Sequence, residues 1–96
     1  MYVRYASSRL AKQCSSINTM RREWGNDVAK ALARRIKDMQ GAQGPEELLR
    51  LPGRWEWLKG VRSHQMSARL TPNWRLICEP EVDDDDIVVV EVEDYH

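Results

Sequence analysis

The stretch "HQMSARLTPNWRLICE", residues 64–79, decides the fold. In "HQMSARL" the apolar residues Met66, Ala68 and Leu70 alternate with Gln65, Ser67 and Arg69, the period of a strand with one face buried. "LTPN" follows, with Pro72 and Asn73 suited to the centre of a tight turn, and "WRLICE" resumes an extended pattern. The two runs predict an antiparallel hairpin. Arg69 lies opposite the apolar trio of its own strand and is therefore expected to point away from the core. Arg75 shares a side of its strand with Ile77, which leaves its direction open.

Upstream, "WEWLK" (residues 55–59) predicts a further strand, and downstream Ile87 to Val90 is apolar on both faces, as an inner strand requires. "PEVDDDD" between them reads as a solvated loop. The N-terminal half changes period. Val28, Leu32, Ile36 and Met39 recur at helical spacing while Lys30, Arg34, Lys37 and Asp38 face away, so a helix begins near Asn26 as its cap and ends at "GAQGP". An earlier helix is expected through "RLAKQCSSINTMRREW" (residues 9–24), capped by Ser7 or Ser8, with Gly25 ending it. "YVRYA" opens the chain as a strand, and Pro45 starts at most a turn or two of helix. A strand, two helices and then a run of antiparallel strands make an α+β domain. Both helices should pack on one face of the sheet, in a single domain spanning residues 1–96.

The composition bounds what such a domain does. At 96 residues there is room for one modest core, and no apolar run approaches the ~20 residues of a membrane span. The N-terminus lacks the apolar segment of a secretory signal. Cys14 and Cys78 are far apart and in no metal-ligand spacing, so two reduced thiols in a cytoplasmic protein are expected. The net charge of zero hides an asymmetry. Residues 1–79 hold all 15 Lys and Arg against 7 acids, and residues 80–96 hold 8 acids and no base. The body is as basic as a nucleic-acid binder. Asp83 to Asp86 should then point away from any groove that takes phosphate. That run also lacks the spacing of a calcium loop.

The polar residues that the hairpins gather are Lys59, Arg62, His64, Arg69, Arg75, Asp94, Tyr95 and His96. Cleavage of RNA at its own 2′-hydroxyl needs no metal. It needs a base, cations for the charged phosphate and an acid for the leaving oxygen, and Lys, Arg and His are a sufficient kit. Each of these residues is also an ordinary solvated side chain. Trp74, like Trp55 and Trp57, is either a base-stacking surface or aromatic core volume in a protein without Phe.

The segment "LPGRWEWLKGVRSHQMSARLTPNWRLICEP" with the ending "VEVEDYH" resembles the HigB-like, or killer-protein, branch of the RelE/ParE toxin superfamily. The resemblance lies in Leu58-Lys59-Gly60 with Arg62, in Ser67-Ala68-Arg69, in Trp74-Arg75 and in Asp94-Tyr95-His96. It covers nearly the whole chain. It implies a toxin of a type II toxin–antitoxin pair, a metal-independent and ribosome-dependent endoribonuclease on mRNA. A cognate antitoxin with a helix-turn-helix domain is the implied partner, with DNA reached only through it; no cofactor and no membrane are implied. Catalytic roles would fall to Lys59, Arg69, Arg75, Asp94, Tyr95 and His96, with Arg62, His64 and Trp74 toward RNA. Val61, His64 and Thr71 depart from the branch's pattern, which has an acid, a glycine and, in some members, an arginine at these places. His96, with Asp94 and its own α-carboxylate nearby, is expected to have a raised pKa and to act as general acid. Two other readings use the same fold without catalysis: a ParE-like gyrase inhibitor, and a regulatory protein that binds its antitoxin.

Overall fold

A computed structural model describes residues 1–95. The strands are β1 (Tyr2–Tyr5), β2 (Glu56–Trp57), β3 (Met66–Arg69), β4 (Trp74–Pro80) and β5 (Asp86–Asp94). The helices are α1 (Ser8–Gln13), α2 (Ile17–Trp24), α3 (Asn26–Gly41) and the single turn α4 (Pro45–Leu48). The sheet runs β1-β5-β4-β3-β2, antiparallel except that β1 lies parallel to β5. The expected α+β class is found, and the sheet is mixed at one edge. β5 is an inner strand, as its apolar run required.

The expected hairpin is present, with Met66 opposite Cys78 and Arg69 opposite Arg75. Met66, Ala68, Leu76, Cys78, Ile87 and Val89 are buried against Leu32, Ile36 and Met39 of α3 in one continuous core. The helices thus cover one face of the sheet, and the other face carries polar side chains around the buried Ile77.

Three local expectations are corrected. The helix expected over residues 9–24 is two helices, because Ser16 starts a second one. Its hydroxyl accepts from the Thr19 N–H while Thr19 Oγ1 accepts from the Ser16 N–H, a reciprocal cap that satisfies two otherwise orphaned donors. The cap of α3 is Gly25 rather than Asn26, whose side chain instead accepts from Arg21 Nε at 3.0 Å. The strand expected over residues 55–59 pairs only at Glu56 and Trp57, and residues 60–62 form a 3₁₀ turn.

Both cysteines are free and buried. Burial pushes the Cys14 thiol up to about 11 and Cys78 up to about 12, from an ordinary 9.0. The folded state holds the thiols neutral, so the unfolded chain loses these protons first as pH rises. Their contribution is whole below pH 9 and is lost as pH climbs toward 11 and 12. Denaturant titrations should show stability declining above pH 9, with a shallower decline in Cys78→Ala. Iodoacetamide at pH 8 should label the unfolded chain and spare the native one.

Candidate functional site

On the open face, alternation along β3 and β4 sets Ser67, Arg69, Arg75 and Ile77 away from the helices. Where β3 meets the residues before β2, Ser67, Arg69 and Arg75 border a cleft of about 230 Å³. It is lined by Arg54, Glu56, Ser67, Arg69, Thr71, Pro72, Arg75 and Tyr95. The register explains the gathering. Glu56 is opposite Ser67, Arg69 is opposite Arg75, and the Arg69 N–H donates to the Gly53 carbonyl at 2.7 Å, which brings Arg54 alongside.

Tyr95 closes the cleft from the end of β5. Its N–H donates to the Asn73 carbonyl, tying it to the β3–β4 turn. Its ring lies under the Arg75 guanidinium, 3.6 Å from centre to carbon, a cation–π contact that holds both groups in place. Arg75 Nη1 is also 4.0 Å from Glu56 Oε1, a long and half-exposed ion pair of small energetic weight. The cleft therefore presents three arginines, one carboxylate and one phenol within a single concavity.

Of the residues expected from sequence, Arg69, Arg75 and Tyr95 are brought together here. Lys59 is not. The Leu58 N–H donates to the Gln65 carbonyl beyond β2, so Lys59 follows β2 where Arg54 precedes it, and it is not among the residues that line the cleft. The loop carrying Asp83 to Asp85 lies between Pro80 and β5, and none of the three lines the cleft. Arg62 and His64 do not line the cleft, although the partner of Arg62, Glu93, stands opposite the cleft residue Arg75 in the β4–β5 register. Arg62 reaches Glu93 at 3.8 Å and Gln65 at 3.4 Å, and His64 Nε2 is 3.3 Å from Glu79. Trp74 is half-buried against the core, on the Leu76 side of β4 and not on the cleft side. Asp94 is paired in register with Trp74, and alternation sets it on that same side. His96 lies outside the described residues.

Two cleft residues escaped the sequence reading. Glu56 sits between Trp55 and Trp57, and alternation within "WEW" was the available signal: Trp55 enters the core, so Glu56 must face the other way. Arg54 had no signal, because it takes a left-handed backbone, φ 53°, where glycine is favoured. Among the described residues, no group of three or more His, Cys, Asp or Glu side chains is gathered as a metal site would need.

No protein-family model and no curated protein matches the sequence. Solved structures do match. A YoeB/ParE toxin from Agrobacterium tumefaciens superposes with a TM-score of 0.71 at 14% identity, over 100% of both chains. A chain of a YoeB–YefM complex from Staphylococcus aureus gives 0.67 at 19%, over 100% of this chain and 97% of that one. A YoeB dimer from the same organism gives the same values. The fold is that of the YoeB/ParE toxins. At these identities the likeness is one of fold, and it spans the whole chain. In this YoeB/ParE fold the cleft lies on the sheet face that the helices leave open. No helix among the described residues is long and apolar enough to cross a membrane.

Proposed function

We propose that this protein is the toxin of a type II toxin–antitoxin pair and cuts mRNA in the cleft between β2, β3 and Tyr95. The observation that carries the reading is the convergence of Arg54, Arg69 and Arg75 on one concavity that also holds Glu56 and Tyr95. Three guanidinium groups fit a phosphodiester and the extra negative charge of its five-coordinate transition state. Glu56 is the cleft's carboxylate and serves as the base. It takes the proton of the 2′-hydroxyl as that oxygen attacks the adjacent phosphorus. The 5′-oxygen then leaves with a proton from an acid, giving a 2′,3′-cyclic phosphate and a 5′-hydroxyl end. His96, the residue after Tyr95 in the chain, remains the acid that the sequence proposes. Action on the ribosome, the antitoxin partner with its helix-turn-helix domain, and placement in the HigB-like branch rest on the sequence resemblance. The solved YoeB–YefM complexes among the structural neighbours support the antitoxin partner.

The site's location is tested by comparing cations. Arg69→Ala should abolish growth arrest on induction without antitoxin, and Lys59→Ala, outside the cleft lining, should retain it within about tenfold in dose. The opposite ranking would move the working site to the β2–β3 turn.

A further inference from the structure

Arg35 of α3 is buried to 5% exposure, yet it belongs to the helix layer, away from the cleft. Its guanidinium donates to the Pro52 carbonyl. Its Nε is 3.2 Å from Asp38 Oδ2, an ion pair without hydrogen-bond alignment. Gly53 packs directly over it, at φ 119°, and a Cβ there would run into the guanidinium. The next residue, Arg54, is the non-glycine residue that takes positive φ among those described. The Gly53 carbonyl then accepts the Arg69 N–H. A buried cation, a glycine and a left-handed arginine thus stand in sequence between the helix layer and the cleft. Backbone strain of this kind persists only where its surroundings enforce it.

We propose that Arg35 is a positioning residue for the cleft: by clamping the Pro52–Gly53 turn it holds Arg54 in the left-handed conformation that sets its guanidinium beside those of Arg69 and Arg75. The inference rests on the reading of the cleft as a phosphate-binding site, but its mechanical half stands apart from that reading. Arg35 touches no substrate. It acts through one turn, and α3 is therefore coupled to the cation set of the opposite sheet face. Arg35→Met roughly keeps the volume and removes the clamp, and Arg35→Lys keeps the charge but replaces the planar fork, which reaches Pro52 and Asp38 through different nitrogens, with one ammonium centre.

The test uses the full chain and a single-stranded 2′-O-methyl RNA, which has no free 2′-hydroxyl and is not cut. In the wild type, log affinity should fall linearly with log salt. Arg54→Ala should reduce that slope by about 0.7, one phosphate contact on a single strand. Arg35→Met should reduce it by the same amount, the double variant should show no further loss, and Arg35→Lys should fall between. The Arg69 amide, bonded to Gly53, should exchange faster in Arg35→Met. An unchanged slope and unchanged Arg69 protection in Arg35→Met, or additive losses in the double variant, would overturn the proposal. Absence of salt-dependent binding in the wild type would sink the RNA reading alone. The clamp would then be judged by melting: Arg54→Gly should raise Tm in the wild type and not in Arg35→Met. An equal gain in both backgrounds would refute it. Should Arg35→Met fail to fold, the same comparisons in Arg35→Lys decide.

Discussion

Glu56→Gln should lower the rate of RNA cleavage by about 10² to 10⁴, the usual contribution of a positioned proton acceptor. The fold and the binding of uncleavable RNA should survive. The side chain is exposed, its ion pair with Arg75 is long, and the substitution keeps its shape. Removing a negative charge from a cleft of three arginines should leave binding equal or slightly tighter. The separation of effects matters most: a loss confined to the chemical step marks a group used in the transition state, whereas a loss of binding marks a structural one. Single-turnover cleavage on the ribosome, alongside binding of a 2′-O-methyl RNA, measures both. A rate within tenfold of wild type would remove Glu56 from the mechanism and return the search for a base to Tyr95 or His96.

Gly53→Ala should be the most destabilising of the glycine-to-alanine changes, by about 3 kcal/mol. Two costs coincide there. A φ of 119° is disfavoured for any residue with a Cβ, and that Cβ would meet the buried guanidinium of Arg35. Gly25 supplies the control, because its φ of 85° is also left-handed but nothing lies within 4 Å of the added carbon. Gly25→Ala should therefore cost only about 1 kcal/mol, the backbone part alone. Urea titrations of the two variants separate conformational strain from collision. Equal losses would mean that Arg35 yields without cost, and would weaken the case for a rigid turn beneath the cleft.

Most of the architecture was legible because the hydrophobic periods were clean. Met66, Ala68 and Leu70 announced a half-buried strand, and Val28, Leu32, Ile36 and Met39 announced a helix; all of them are buried as read. The break between α1 and α2 was missed because Ser15 and Ser16 read as tolerable interior residues until the Thr19 half of the cap is seen in space. The parallel pairing of β1 with β5 joins residues more than eighty apart, and no local pattern encodes it. The cleft was half legible. Arg69 followed from alternation, and Arg75 and Tyr95 followed from the family resemblance. Lys59 shares the resemblance but does not line the cleft, because it follows the short β2 where Arg54 precedes it. Arg35 was unreadable: on a helix with Lys30, Arg34 and Lys37 outward, nothing local distinguishes the one arginine that turns inward to meet a distant turn.

The central claim, that the cleft cuts RNA, is tested most directly by mapping new RNA 5′ ends after induction without antitoxin, in the wild type and in Arg69→Ala. The account predicts discrete new ends carrying 5′-hydroxyls in the wild type and none in Arg69→Ala. Growth arrest in the wild type without new ends would contradict it, and would leave a toxin fold whose target is something other than RNA.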